Sequence, residues 1–371
     1  MNRRRFIKNA GLLSGAAAGA AATMAAPAIA QSMPEIKWRL TSGFPKALDT
    51  IYGGAERFAK AVSDMTDGKF QIQVFASGEI VPTPGVVDAV QNATVEMAHT
   101  ASYYYFGKDP TFAFGAAVPF GLNSRGLNAW FNYGGGNDAL NAFYAKFKMI
   151  GFPAGNTGAQ MGGWWRKEIK TVDDMKGVKF RVGGFGGTVL SKLGVVPQNI
   201  PGGDIYPALE KGTIDAAEWV GPYDDQKLGF DKVAKFYYYP GWWEGGATLH
   251  VFVNTDKWAS LPANYQAVIK TAAGWENQDM QAQYDALNPK ALRELVGKGV
   301  QLRSFSPEIL SACYDAATQT YAEISAKNAD FKTVYESMKA FRNEEYLWFQ
   351  VADGTYDNFM YGQQRGGKLM Q

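Results

Sequence analysis

Apolar and polar residues alternate near the start of the chain, and this alternation predicts strands. Residues 36–40 and 70–75 have apolar side chains at every second position, which is typical of strands with one buried face. Between them, residues 51–65 have apolar side chains at helical spacing, and Gly68 follows. Another helix, near residues 85–94, precedes a short apolar run around Met97. This order predicts an α/β domain with a largely parallel sheet.

A second unit with the same order of strands and helices begins near Phe152. Its predicted elements are, in order, a strand at 179–182, a glycine run at 183–187, helices at 188–193 and 205–211, and a strand of small side chains at 213–217. Gly212 predicts the end of the second helix, because glycine readily adopts the left-handed conformation that closes many helices. The glycine run by itself is typical of a flexible turn.

The chain after Trp258 has a mostly helical pattern. A long helix is predicted to open at residues 261–262 and to be interrupted at Asn288 and Pro289, because proline disrupts the hydrogen bonds of a helix interior. The sequence Ser-Pro-Glu at 306–308 predicts another helix start, with a serine cap and proline in the first turn. We find no internal repeat and no low-complexity linker.

Residues 1–30 have the features of a twin-arginine export signal. Arginines at positions 3–5 precede a Phe-Ile-Lys run, and residues 9–30 are uncharged and rich in Ala and Gly. Ala28 and Ala30 provide the small side chains that a signal peptidase recognises. A membrane anchor is the alternative, but spanning helices are usually richer in Leu, Ile and Phe. The sequence therefore predicts cleavage after Ala30 and a mature protein that works outside the cytoplasm.

Composition narrows the classes of protein that fit. About 341 residues remain after the predicted cleavage, which is consistent with two domains. The chain has 37 basic and 35 acidic residues, and removing Arg3, Arg4, Arg5 and Lys8 leaves 33 basic ones, so the mature net charge is near −2. This balance argues against non-specific binding to nucleic acid or anionic membranes. Cys313 is the only cysteine, so an intrachain disulfide is impossible.

Signatures of enzymes are mostly absent. His99 and His250 are the only histidines, and neither has another histidine at a spacing that suits a metal, so both are expected to be packed, hydrogen-bonded residues. The glycine run at 183–187 lacks the spacing of a dinucleotide-binding loop. Arg181, with that run and a helix start after it, would suit a carboxylate, because guanidinium groups and helix N-termini both attract anions. A surface arginine is the alternative.

Clustered aromatic residues and two acids are the other unusual features. Aromatic side chains are adjacent at 103–106, 164–165, 236–239 and 242–243. Because neighbours on a strand point to opposite faces, some of these rings must line a cleft or pack between domains, and the pattern leaves both open. Glu218 and Glu244 have neighbours that look buried. They would suit acid–base chemistry on a glycosidic bond or a bound cation, and two unrelated exposed glutamates are the alternative.

Several segments resemble the solute-binding proteins of TRAP (tripartite ATP-independent periplasmic) transporters. The resemblance extends over essentially the whole mature chain and is most specific at 202–219. It is greatest to the subfamily that binds 2-oxo acids such as pyruvate. The segments that carry it are RVGG at 181–184, GGDIYPALEKGTIDAAEW at 202–219, NTDKWASLP at 254–262, GNTGAQMGGW at 155–164 and YPGWWEGG at 239–246.

The resemblance implies a fold of the α/β class: the two-lobe periplasmic solute-binding protein fold, with hinge-connected lobes and a helical C-terminal region. Such a protein binds a ligand between its lobes and is not an enzyme. The implied division is a first part of lobe I at 31–153, the main part of lobe II at 154–244, a return to lobe I at 245–275, and long helices at 276–371 that pack on the lobes and on a possible partner subunit.

The resemblance also implies roles for individual residues, with Arg181 holding the substrate carboxylate. The implied substrate-binding residues are Tyr103, Tyr104, Asn156, Gln160, Arg181, Glu218 and Glu244. The implied cation ligands are Gln160, Glu218, Glu244 and, through its backbone carbonyl, Trp219. Two glutamates beside an anionic substrate would repel it unless a cation lay between them. The implied cation is Na⁺, with Ca²⁺ as the alternative, and no redox cofactor is implied.

The implied function is the capture of a small 2-oxo acid in the periplasm and its delivery to the membrane subunits of a TRAP transporter, after export by the twin-arginine route. Lactate or another 2-hydroxy acid is the rival substrate. A sugar-binding protein and a secreted glycosidase are the alternatives from other classes. A homodimer through the C-terminal helices, around 272–295, is a further expectation, and nucleic acid is not an expected partner.

Overall fold

Two β-sheets organise the chain, and the computed structural model describes residues 33–370. The predicted export signal at 1–30 lies outside the described residues. The strands are β1 Ile36–Ser42, β2 Phe70–Phe75, β3 Met97–Thr100, β4 Met149–Asn156, β5 Trp164–Trp165, β6 Lys179–Arg181, β7 Val196–Gln198, β8 Ala216–Ala217, β9 Phe236–Tyr239, β10 Thr248–Asn254 and β11 Gln301–Ser304. The α-helices are α1 Ile51–Asp64, α2 Val86–Gln91, α3 Ser124–Tyr133, α4 Gly136–Tyr144, α5 Gly184–Lys192, α6 Gly202–Glu210, α7 Pro222–Leu228, α8 Thr255–Ser260, α9 Ala263–Gly297, α10 Pro307–Ser325, α11 Ala329–Phe349 and α12 Asp353–Arg365.

The first sheet has the strand order β2-β1-β3-β10-β4. β1 pairs in parallel with both β2 and β3, as the alternation of strands and helices predicts. β10 is antiparallel to both of its neighbours, so the prediction of a largely parallel sheet holds for only half of it. The difference arises because β10 enters this sheet after the chain has passed through the second sheet, and no strand–helix–strand crossover sets its direction.

The second sheet has the order β11-β9-β5-β8-β6-β7. The chain passes from β4 to β5 through residues 157–163, and it returns from β9 to β10 through residues 240–247. We call these two connections the crossing segments. Each runs between the two sheets, so side chains on them lie where the two halves of the molecule meet.

Both faces of the second sheet are covered, and this explains its adjacent aromatic residues. Trp164 and Trp165 of β5, and Tyr237 and Tyr238 of β9, are all buried although neighbours in each pair point to opposite faces. The rings of Trp164 and Tyr237 stack with their centroids 4.1 Å apart. These two pairs therefore pack around their own sheet, whereas the sequence pattern leaves open only a cleft or packing between domains. Tyr239 is exposed.

Two predictions of local structure were wrong because packing overrides local preference. The glycine run is not a flexible turn, since α5 begins at Gly184. A Cβ atom at Gly184 would lie 2.9 Å from the Cβ of Tyr103, so the glycine permits this close contact. α9 continues through Pro289 to Gly297, with Tyr284 and Leu295 buried on either side of the proline.

The predicted strand at 213–217 is limited to β8, and β11 lies in a region where the pattern indicated only helices. The predicted helix start at 306–308 is confirmed, because the Ser306 hydroxyl accepts a hydrogen bond from the backbone N–H of Ile309. Within residues 33–370, no helix has the length and apolar character needed to cross a membrane.

Candidate functional site

The structure brings Arg181 and Glu218 together at the ends of neighbouring parallel strands. Arg181 is the last residue of β6, and Glu218 directly follows β8, which pairs with β6 in the register Arg181 to Ala217. The other two predicted polar ligands, Gln160 and Glu244, lie on the two crossing segments. The carboxyl ends of parallel strands are common places for ligand sites, so this placement fits a binding role.

Arg181 and Glu218 form a buried ion pair with only 2% and 1% of their surfaces exposed. One guanidinium nitrogen of Arg181, Nη1, donates to the Glu218 carboxylate at 2.5 Å and to the Glu218 backbone carbonyl at 2.6 Å. Nε of Arg181 donates to the carbonyl of Ile200 at 3.0 Å. The backbone N–H of Gly183, just before α5, donates to the same Glu218 oxygen at 2.9 Å. The alternative of a surface arginine is therefore wrong.

Glu244 adds a second buried carboxyl group to this pair. The hydroxyl of Tyr103 donates to Glu244 at 3.3 Å. Burial, followed by repulsion from Glu218, raises the pKa of Glu244 well above its usual value despite the opposing effect of Arg181. Burial also raises the pKa of Glu218, although Arg181 and the Gly183 N–H oppose this rise. One arginine thus faces two buried carboxyl groups and cannot neutralise both as carboxylates.

Gln160 is buried and held by the opposite crossing segment. Its backbone N–H donates to the carbonyl of Glu244 at 3.1 Å, and its own carbonyl accepts from the N–H of Gly241 at 2.9 Å. Its side-chain nitrogen Nε2 donates to the Thr157 hydroxyl at 3.0 Å. The side-chain oxygen Oε1 of Gln160 and the second carboxylate oxygen of Glu218 are buried and accept no hydrogen bond. Orphaned buried oxygens are costly, and carboxylate and amide oxygens are the kinds of ligand that Na⁺ and Ca²⁺ take.

Asn156 is buried, but its side-chain amide is used by its own turn. The amide oxygen accepts from the N–H of Gly158 at 2.8 Å, and the amide nitrogen donates to the Thr248 hydroxyl at 2.9 Å and to the Gly246 carbonyl at 3.4 Å. None of these partners belongs to the Arg181–Glu218–Glu244 group. In this structure Asn156 braces the start of one crossing segment against the end of the other.

Aromatic residues surround the charged group. Tyr104 and Arg181 line a cavity of about 30 Å³ between the segment 199–202 and residues near β1. Burial raises the pKa of the Tyr104 hydroxyl to about 12, although Arg181 partly offsets this effect. The Trp219 ring lies over the Arg181 guanidinium at 5.1 Å, a cation–π contact. Tyr103 and Trp243 also border this region, so some of the clustered aromatic residues do line the site.

The histidines take no part in the site. His99 and His250 are buried in the first sheet, and Nε2 of His99 lies 2.9 Å from the carbonyl of Ala154. Among residues 33–370 there is no cluster of three or more His, Cys, Asp and Glu side chains that would suit a metal. A cation here would rest on two carboxylates supplemented by neutral oxygens, a donor set that suits Na⁺ or Ca²⁺ better than a transition metal.

Sequence reasoning missed two polar residues that support the site. Asp225 is buried and accepts hydrogen bonds from Trp164, from Tyr237 and from the backbone N–H of Val220, which follows the Glu218–Trp219 pair. Thr157, beside Asn156, holds the amide of Gln160. Asp225 has no distinctive neighbours in the sequence, whereas Thr157 lies within the segment at 155–164 and only its role was overlooked.

Residues 41–328 match the bacterial extracellular solute-binding proteins, family 7 (DctP). The chain belongs to this family. The DctP family consists of solute-binding proteins that act outside the cytoplasm, so the expectation of a periplasmic TRAP solute-binding protein is confirmed. The expected α/β fold with two sheets and many helices is confirmed as well.

Relatives of this DctP protein are similar over most of their length. The Monocarboxylate 2-oxoacid-binding periplasmic protein of Nostoc sp. (strain PCC 7120) is 50% identical over 360 residues, which cover 97% of this chain and 99% of the relative.

Two solved structures of TRAP solute-binding proteins are also similar to this chain over most of its length. A TRAP solute-binding protein of Bordetella bronchiseptica RB50, a dimer with calcium and picolinate in an active site, is 50% identical with a TM-score of 0.89, covering 90% of this chain and 99% of that one. A TRAP periplasmic solute-binding protein of Pseudoalteromonas atlantica T6c, with bound sodium and pyruvate, is 38% identical with a TM-score of 0.85, covering 87% and 99%.

Proposed function

We propose that this DctP protein captures a small 2-oxo monocarboxylate such as pyruvate, together with a Na⁺ or Ca²⁺ ion, and delivers it to the membrane subunits of a TRAP transporter without catalysing a reaction. The observation that carries the proposal is the buried group of Arg181, Glu218 and Glu244, which has one positive charge for two carboxyl groups. A cation bound together with the acid would offset the negative charge of the acid and of the two glutamates.

The charges explain why the cation and the acid would bind together. A carboxylate alone would meet two acidic groups, and two like unit charges 4 Å apart repel by about 4 kcal/mol at an effective dielectric constant of 20. A cation between the glutamates and the acid would replace that repulsion with attraction. The unpartnered oxygens of Gln160 and Glu218 would then become ligands, joined by Glu244 and the Trp219 carbonyl. Arg181 would then donate some of its hydrogen bonds to the substrate carboxylate in place of Glu218.

A cation in this position would also select the class of acid. Pyruvate has a keto oxygen next to its carboxylate, so both groups can bind one ion in a five-membered chelate ring. Picolinate, bound with calcium in the Bordetella relative, has a ring nitrogen at the equivalent position. The shared feature is a carboxylate with an adjacent lone pair. Tyr103 and Tyr104 would exclude water and limit the size of the ligand. Asn156 would act on the site only by holding the two crossing segments together.

Isothermal titration calorimetry of the chain purified without residues 1–30 tests the proposal. Pyruvate, 2-oxobutyrate, lactate and glucose are titrated in parallel, each with Ca²⁺, with Na⁺, and in a sodium-free buffer with chelator. We expect saturable binding of the 2-oxo acids that strengthens with a cation. Tighter binding of lactate would favour a 2-hydroxy acid as the substrate, and saturation by none of the acids would contradict the proposal.

We also propose that the chain reaches the periplasm by the twin-arginine route and is cleaved after Ala30. Lobe I would comprise 31–153 and 245–275, lobe II would comprise 154–244, and the crossing segments would act as hinges. The consecutive arginines at positions 3–5 support the route. Replacing all three with lysine should abolish export in cells with an intact twin-arginine translocase, whereas unchanged export would point to another pathway.

The surface of the last two helices supports a homodimer. Ala272 and Leu295, in the region where the contact was expected, are buried within the chain itself. Trp275 in the same region is exposed, and more exposed apolar side chains occur near the end of α11, between α11 and α12, and on α12: Leu347, Trp348, Val351, Tyr356 and Phe359. A second copy is the occupant that we propose, because the Bordetella relative is a dimer.

Sedimentation velocity tests the dimer. The unchanged chain should sediment as a dimer, and Trp348→Glu with Phe359→Glu should convert it into a monomer. Tyr133→Glu is the control, because Tyr133 is exposed but lies on α3, outside this surface. A monomeric unchanged chain would contradict the proposal.

A further inference from the structure

The turn at 156–160 contains a hydrogen-bonded chain that fixes the orientation of one amide group. Thr157 is buried, with 2% of its surface exposed, and its backbone N–H donates to the carbonyl of Ala247 at 3.0 Å. Its hydroxyl donates its single proton to the carbonyl of Gly158 at 3.0 Å. The same hydroxyl accepts from the side-chain nitrogen of Gln160 at 3.0 Å. The threonine hydroxyl therefore acts toward Gln160 as an acceptor only.

The bond to Thr157 also determines where the side-chain oxygen of Gln160 points. Because the Thr157 hydroxyl has given its proton to Gly158, it can pair with the NH₂ group of Gln160 but not with the amide oxygen. The oxygen Oε1 must then point the other way, and there it is buried without a hydrogen-bond partner. Turning the amide over would break the bond to Thr157 and direct an N–H group at the place where the oxygen now lies.

The backbone leaves Gln160 little other freedom. Its N–H and its carbonyl are both bonded to the crossing segment that carries Glu244. The neighbouring Asn156 amide closes the start of the turn onto Gly158. These bonds fix the backbone of Gln160 but not its side chain, and the bond to Thr157 constrains the orientation of the side-chain amide.

We propose that Thr157 is a positioning residue for the cation site: its hydroxyl orients the Gln160 amide so that an oxygen, and not an N–H group, faces the ion. This inference rests on the proposed function, in which Gln160 is a cation ligand. A side chain that orients a metal ligand typically contributes about 10–100-fold to metal affinity, although it does not touch the metal.

The test uses Thr157→Val, which keeps the shape of the side chain but removes the acceptor, and Thr157→Ser, which keeps the hydroxyl. Chelator-treated protein is titrated with Ca²⁺ by calorimetry, with and without saturating pyruvate. We expect Thr157→Val to weaken Ca²⁺ binding about tenfold or more and Thr157→Ser to remain within about threefold of the unchanged chain. Equal affinities for Ca²⁺ in the valine variant and the unchanged chain would overturn the inference. If the valine variant does not fold, Thr157→Cys takes its place, because a thiol is a weak acceptor.

A double-mutant cycle with Gln160→Glu separates positioning from a general structural effect. A carboxylate has two equivalent oxygens, so an amide flip no longer exists. We therefore expect Thr157→Val to change Ca²⁺ affinity less than about threefold in the Gln160→Glu background. A tenfold loss in both backgrounds would show a structural role and overturn the inference. Pyruvate binding by the unchanged chain that is indifferent to Ca²⁺ and Na⁺ would instead contradict the cation site, and with it the role of Thr157.

Discussion

Replacing Arg181 with methionine separates the two roles that we assign to this side chain. Arg181 pairs with Glu218 in the structure, and under the proposed function it also holds the substrate carboxylate. Both residues are buried, and the guanidinium bonds the Glu218 carboxylate at 2.5 Å. Methionine keeps much of the volume of the stem and removes the charge.

The two roles predict two separate losses. Removing one partner of a buried ion pair costs about 3–5 kcal/mol, because the other charge stays buried and unpaired. In a chain of this size the entropy of unfolding is about 0.7 kcal/mol/K, so such a loss would lower the melting temperature by about 4–7 °C. Losing the charged hydrogen bonds to the substrate would cost a further 2–5 kcal/mol or so of binding free energy, which raises the dissociation constant for pyruvate at least about 30-fold.

The variant pair Arg181→Met and Glu218→Gln tests the reasoning. Thermal unfolding is measured without acid or cation, and pyruvate binding is measured by calorimetry with saturating Ca²⁺. The double variant should regain most of the stability, since no unpaired charge stays buried, but it should not regain binding. Arg303→Met is the matched control: Arg303 pairs with Glu168 at a partly exposed site, where removing a pair costs about 0–1 kcal/mol.

Either of two results would refute this reasoning. If the double variant were no more stable than Arg181→Met, the unpaired charge of Glu218 would not be the cause of the lost stability. An unchanged dissociation constant for pyruvate in Arg181→Met would remove the carboxylate assignment.

Two further predictions concern buried groups outside the ligand site. Burial lowers the pKa of His99 to about 4 and that of His250 to about 3. Below pH 6.5 the two histidines therefore bind protons in the unfolded chain but not in the folded one, and this difference destabilises the fold. At about 1.36 kcal/mol per pH unit, each histidine should cost about 2–3 kcal/mol of stability by pH 4.5. Urea unfolding should show a smaller loss between pH 7 and 4.5 when both are replaced by glutamine, and an equal loss would contradict the assignment. Asp225→Asn should cost about 1–3 kcal/mol, because its NH₂ group would face the donors of Trp164 and Tyr237 or the Val220 N–H; an unchanged urea midpoint would contradict this prediction.

Local patterns predicted the elements whose stability depends on nearby residues. The alternation at 36–40 and 70–75 became β1 and β2, which pair in parallel, and Ser306 caps α10 as expected. Pro289 shows where local rules fail. The proline disfavours a continuous helix, but Asn288 accepts a hydrogen bond from the backbone N–H of Tyr223, and buried residues on both sides hold α9 in place. A sequence window contains no information about such distant partners.

In the candidate site, too, the sequence predicted the residue types but not the contacts between distant residues. The chemistry of Arg181, Glu218 and Glu244 could be read from residue types and from the family resemblance. The pairing of Arg181 with Glu218 joins residues 37 positions apart, and it depends on two strands that become neighbours only in the folded sheet. The use of the Asn156 amide within its own turn, and the acceptor role of Thr157, depend on atomic geometry that no residue pattern specifies.

The most direct test of the account is the affinity of the unchanged chain for pyruvate with and without a cation. Calorimetry in a sodium-free buffer with chelator is compared with the same titration in saturating Ca²⁺ and in saturating Na⁺. The buried excess of carboxyl groups predicts a dissociation constant at least about fivefold lower with one of the two cations, which is the lower range of typical coupling between two ligands. The same dissociation constant in all three buffers would contradict the claim that acid and cation are captured together.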